Sequence, residues 1–143
     1  MCAKAGFDVA HSSAILTELW MKFILLATNA SVMATIRQPI GKIREDADIA
    51  AMMRAGYRET VDVGHARGVA LPADAVDRTF AASMGLPAAL LPSMAVDLMR
   101  GNRIELPWLS GKVVELGKQL RVPTPTHSFL LTALKPYAMG APA

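Results

Sequence analysis

Apolar residues recur at three- and four-residue spacing along almost the whole chain, and no apolar/polar alternation survives for more than a few positions. That period specifies helices rather than strands, so the pattern predicts an all-α fold. A first long helix should begin at Ser12 or Ser13, whose side-chain oxygen can accept from free backbone N–H groups, and should carry Ile15, Leu16, Leu19, Trp20, Phe23 and Ile24 inward. Its later part, Phe23-Ile24-Leu25-Leu26-Ala27, is apolar on every side, as in a helix with neighbours all round. Asn29 to Ser31 offers a break and restart before Val32, Met33 and Ile36, and Pro39 and Gly41 end the element.

Asp46 or Asp48 caps the next helix, which runs through Ile49, Met52, Met53, Tyr57 and Val61 to about Gly68, with Arg54, Arg58 and Glu59 on its wet side. Further helices are predicted at about 73–84, 88–99, 106–120 and 126–135, punctuated by Gly85, Gly101, Val122-Pro123-Thr124-Pro125 and Pro136. The connections are short and there is no internal repeat. The expected architecture is a compact bundle of about six or seven helices, a single domain over residues 1–143, as a chain of that length allows.

Composition sharpens this picture. With glycine counted and tyrosine set aside, about 58% of the chain is apolar, against a usual 45–50%, which excludes disorder and points to a wholly helical core or a surface that expects a partner. The net charge of +3 comes from 15 basic and 12 acidic residues without a clustered stripe, so nucleic acid is not an expected partner. The one cysteine, Cys2, can form neither an intramolecular disulfide nor a thiolate cage, and a reducing, cytoplasmic setting is expected. The first residues lack the apolar stretch of a secretory signal. The uncharged runs 23–36 and 79–96 are respectively too short and too broken by Gly85, Pro87 and Pro92 to span a bilayer.

The usual dinucleotide, phosphate-loop, hydrolase-elbow and zinc-protease motifs are missing. His11, His65 and His127 lie more than fifty residues apart without ligand-like neighbours, so they are read as structural or exposed and no metal site is expected. The nine methionines, with a Met52–Met53 pair, read as core filler before a peptide groove. Lys22 is harder to place: in the middle of the most apolar helix, its charge must snorkel out, find a partner or line a polar cleft. Glu105 stands at a helix entrance between Ile104 and Leu106, where the macrodipole favours a carboxylate, and Ser93 after Pro92 reads as an ordinary first-turn residue.

Taken in order, Leu19-Trp20-Met21-Lys22-Phe23, Pro39-Ile40-Gly41-Lys42-Ile43, Ser93-Met94, Arg103-Ile104-Glu105, Leu109-Ser110-Gly111 and Val122-Pro123-Thr124-Pro125 resemble the C-terminal domain of the ketopantoate reductase family, over nearly the whole chain. The resemblance implies a helical fold like the C-terminal domains of ketopantoate reductase and of enzymes of the 6-phosphogluconate dehydrogenase type. It also implies a Rossmann domain, in cis or in trans, that binds NADPH, and a 2-keto acid such as ketopantoate reduced in the cleft between the two. By that resemblance Lys22 gives a proton or hydrogen bond to the ketone oxygen, Glu105 orients substrate and lysine, and Ser93 donates to substrate. No residue here is assigned to the cofactor.

The sequence departs from the family where asparagines four and eight residues after the lysine hold substrate: those positions are Leu26 and Ala30. Asn29 stands nearby, and seven helical residues fall about 20° short of two turns and rise roughly 10 Å. Asn29 can therefore face the cleft of Lys22 as a substrate-binding residue, or cap the restarted helix. The change leaves the substrate open. The opening Lys4–Val9 resembles the family's interdomain connection, which favours an excised domain; the alternative is a non-catalytic helical domain for dimerisation or partner binding. Self-association is expected from the apolar face that a Rossmann domain would otherwise cover.

Overall fold

The structure, a computed structural model, describes residue 6 and residues 12–141; Cys2, His11 and, apart from Gly6, the opening Lys4–Val9 stretch lie outside them. Seven α-helices follow in order: α1 (Ile15–Ile36), α2 (Ile40–Arg44), α3 (Ala47–Ala66), α4 (Ala75–Met84), α5 (Ser93–Met99), α6 (Ser110–Leu120) and α7 (Pro125–Leu134). Short 3-10 turns lie at Leu106–Trp108 and Lys135–Tyr137, and there is no strand among the described residues.

The central element is α1, which packs against α3, α4, α5, α6 and α7. Its residues 27–34 are all buried, so this stretch has neighbours on every side. The break expected at Asn29 to Ser31 does not occur; the helix runs unbroken to Ile36 and ends at Arg37 in the left-handed conformation. The polar residues of that stretch are satisfied by neighbouring helices, which leaves the backbone no reason to break. By length and composition α1 could cross a membrane, but this half of it is core.

Small residues let the helices approach. A methyl group on Gly56 of α3 would meet Thr28 Cγ2 at 2.8 Å, and one on Gly64 would run into the Trp20 ring, whose Nε1 donates to the Thr60 carbonyl at 3.1 Å. Asp46 caps α3 as expected, its carboxylate accepting from the N–H groups of Asp48 at 2.9 Å and Ile49 at 3.0 Å.

Several expectations are corrected. Ile15, Leu16 and Leu19 are 56%, 56% and 57% exposed, not inward: periodicity marks a face as apolar but does not say whether anything covers it. Glu59, expected on the wet side, is 8% exposed and receives the first N–H groups of α7, Thr126 at 2.7 Å and His127 at 3.0 Å. Beyond Pro39 the chain forms α2 instead of a simple end. Its first N–H groups are taken by the segment expected to begin a helix at 88: Ile40 donates to the Leu90 carbonyl at 3.1 Å and Gly41 to that of Ala88 at 2.9 Å. A side chain at Gly41 would strike that carbonyl. Pro92 disfavours helix at the residue before it, so α5 starts only at Ser93.

Candidate functional site

Residues four apart on a helix share a face, so Lys22, Leu26 and Ala30 form one stripe along α1. Two short segments face that stripe. Pro92, extended, delivers Ser93 as the first residue of α5. Gly101, at φ +73°, turns the chain out of α5 into Arg103-Ile104-Glu105-Leu106, where Ile104 and Leu106 are buried and hold the intervening Glu105 outward. Leu26, Ala30, Pro92, Ser93, Glu105 and Leu109 line a cavity of about 190 Å³. Across Pro92 and Ser93 it adjoins a second cavity of about 310 Å³, whose walls are Leu25, Leu26, Asn29, Ala30 and Met33 of α1 and the Leu86–Ser93 segment.

The sequence-predicted residues divide here. Ser93 and Glu105 meet in one cleft. Lys22 lines neither cavity; it is exposed on α1, one turn before Leu26. None of the side chains of Lys22, Ser93 and Glu105 makes a hydrogen bond or ion pair among the described residues, and neither Ser93 nor Glu105 caps its helical turn. The fold leaves these three groups unused. Arg103, over the exposed Trp108 ring at 5.3 Å, adds a cation beside Glu105.

Asn29 differs. It is buried and borders the larger cavity, but its amide donates to Ser83 Oγ at 2.9 Å and its carbonyl accepts from the Tyr57 hydroxyl. Burial holds the Tyr57 hydroxyl far above the usual phenol range, with the Ser83 contact opposing, so it stays protonated and donates. These long-range partners of Asn29 leave no periodic signal in the sequence.

A second polar set lies on the far side of α1. His127 Nδ1 is 2.9 Å from Ser110 Oγ, which is 2.7 Å from Ser31 Oγ; Nε2 is 2.9 Å from Thr60 Oγ1 and 3.0 Å from the Gly56 carbonyl. A carbonyl only accepts, so Nε2 carries the proton of the neutral ring and Nδ1 accepts from Ser110. Burial lowers the imidazole pKa, against the opposing Gly56 hydrogen bond and Glu59 charge. With both ring nitrogens engaged and no exposure, this set ties α1, α3, α6 and α7 together and offers nothing to a ligand.

Among the described residues no group of three metal-ligating side chains exists, and no strand feeds a glycine turn at a helix N-terminus, so they do not fit a dinucleotide pyrophosphate. A third concavity, about 550 Å³, is an open groove between Leu16, Leu19 and Phe23 of α1 and Lys112, Glu115 and Gln119 of α6, and neither Ser93 nor Glu105 lines it.

The family described as "Ketopantoate reductase PanE/ApbA C terminal" matches residues 14–138. The chain is 31% identical over 123 residues to 2-dehydropantoate 2-reductase of Caulobacter vibrioides, a match covering 86% of this chain and 42% of that protein. The structure superimposes on a PanE/ApbA family ketopantoate reductase from Ralstonia eutropha JMP134 with a TM-score of 0.86 at 30% identity, covering 95% of this chain and 45% of that one. A dimeric ketopantoate reductase from Staphylococcus aureus shares the fold, with a TM-score of 0.85 at 20% identity over 92% of this chain and 46% of that one. The chain thus spans less than half the length of these proteins.

Proposed function

The chain belongs to the family of ketopantoate reductase C-terminal domains, and on that premise we propose that it is the substrate-holding, proton-donating half of an NADPH-dependent 2-keto acid reductase. The single observation that carries this reading is that Ser93 and Glu105 converge on one cleft, with Lys22 exposed one turn before its Leu26 wall on α1, and the fold uses none of the three.

Reduction of a ketone moves the carbonyl π electrons onto oxygen, and the alkoxide that forms needs a proton. The Lys22 ammonium supplies it and offsets the developing charge, which yields a neutral hydroxyl and a neutral amine. Glu105 orients the substrate's oxygens and the lysine, and the Ser93 hydroxyl donates to substrate. NADPH, held by a Rossmann domain in cis or trans, would supply the hydride. Lys22 is exposed one turn along α1 from the cleft, so in this role a covering domain would enclose it with the substrate. The uncovered Ile15, Leu16 and Leu19 support such a partner surface, for the Rossmann domain or for a second copy.

The test is NADPH oxidation by this chain fused to the Rossmann domain of a relative, with a panel of 2-keto acids. Turnover above the Rossmann domain alone is expected. A correctly folded fusion inactive on the whole panel would favour a non-catalytic partner-binding domain.

A further inference from the structure

We propose that the larger cavity seats an apolar substituent of the 2-keto acid, branched aliphatic or aromatic, and disfavours a hydroxylated one. The assignment as substrate rests on the reductase reading above; the preference of the cavity for an apolar group is a separate, measurable property of this chain.

The two cavities share Leu26, Ala30, Pro92 and Ser93 and so lie side by side, and the proposed ligand lies across both. The polar atoms are at one end, where Ser93 and Glu105 line the smaller space. Beyond Ser93 the walls are the side chains of Leu25, Leu26, Met33, Leu86, Leu90 and Leu91. Asn29 is the other polar residue there, and its amide is already engaged by Ser83 and Tyr57. Past Ser93, a substituent hydroxyl would exchange water for walls that are leucine and methionine side chains, with only what Asn29 has left after Ser83 and Tyr57 to meet it. Leu26 adds a second reason: it is 44% exposed at the junction of both cavities, on the stripe of α1 that leads from Lys22, so an apolar ligand group would cover it. About 310 Å³ is within the usual size of small-ligand sites. Because an apolar pocket rejects an added hydroxyl only moderately, the expected preference is roughly 10- to 100-fold.

The experiment is methyl NMR on this chain titrated with α-ketoisocaproate and, separately, with α-ketoisocaproate hydroxylated at its branch carbon. The first should shift the methyl signals of Leu25, Leu26, Leu90 and Leu91 and bind roughly tenfold or more tightly than the second. Leu26→Asn, at an exposed position the fold can spare, should narrow that gap while the melting temperature holds. Equal or tighter binding of the hydroxylated acid overturns the proposal. So do shifts confined to Leu16 and Leu19, or no binding of either acid. NADPH oxidation by the fusion is scored apart: selective binding without turnover upholds the cavity and removes the reductase reading, whereas turnover that prefers the hydroxylated acid upholds the reading and removes the proposal.

Discussion

Polar side chains gather on two sides of α1, and their hydrogen bonds serve different ends. On one side Ser31, Ser110, His127 and Thr60 bond to one another at 2.7 to 2.9 Å with no exposure. On the other, Ser93 and Glu105 are exposed at a cleft, Lys22 is exposed one turn before its Leu26 wall, and the three side chains bond to nothing among the described residues. A buried polar group is costly unless it is satisfied, so the first set is fixed by the fold's own stability. The second set is solvated and adds nothing comparable to stability, which leaves its groups free to meet a ligand. Chemistry-bearing residue types are therefore a poor guide here: His127, of the commonest catalytic type, is structural, while the exposed Lys22 is the proposed catalyst.

The largest expected effect breaks the closed set. His127→Ala removes a fully buried ring that joins α3 and α6 to α7 and leaves a void beside Ser110 and Thr60, which should cost about 3 kcal/mol in urea unfolding. Lys22→Met is the counterpart on the open side. It keeps the apolar stem and removes the proton, so turnover in the fused reductase should fall roughly 10²-fold while the melting temperature is unchanged. Near-normal turnover with the best 2-keto acid would return Lys22 to a snorkelled surface cation.

Acid should also separate the two sets. The folded state holds the His127 imidazole below its usual pKa, whereas the unfolded chain takes up that proton near the ordinary value of 6.5. Above 6.5 neither state binds it and stability does not depend on pH through this group. As pH falls below 6.5 the unfolded state gains a proton the folded state refuses, so stability declines, by at most about 1.4 kcal/mol per pH unit. Denaturant midpoints between pH 7.5 and about 5.5 should fall for the natural chain and less for His127→Ala. Parallel curves would show that His127 is not held neutral.

The helical class and most of α1, α3, α6 and α7 were legible because each buries an apolar stripe, which periodicity records. Coverage was not legible. The same periodicity marked Ile24, which is fully buried, and Leu16, which is 56% exposed. Glu59 was misplaced for a related reason: the N–H groups it accepts belong to residues 67 and 68 positions away, and no local pattern announces them. For the site, the resemblance points to Lys22, Ser93 and Glu105; Ser93 and Glu105 line one cavity, and Lys22 does not. The engagement of Asn29 by Tyr57 and Ser83 depends on helix packing that a linear chain does not display.

The smallest expected effect concerns Ser93, which sharpens the comparison because a serine stands on both sides. Ser110 is fully buried and bonded to Ser31 and His127, so its removal would orphan groups that cannot reach water. Ser93 is exposed, has no hydrogen-bonded partner among the described residues and does not cap α5. Ser93→Ala should therefore leave stability within about 0.5 kcal/mol, as for surface changes away from structural features. A hydroxyl that holds substrate equally in ground and transition states contributes uniform binding, so its loss should raise KM several-fold and leave kcat nearly unchanged. A fall in kcat with KM constant would place the Ser93 hydroxyl on the developing alkoxide instead. A change in neither would remove it from the substrate's contacts and leave Glu105 as the polar wall of the cleft.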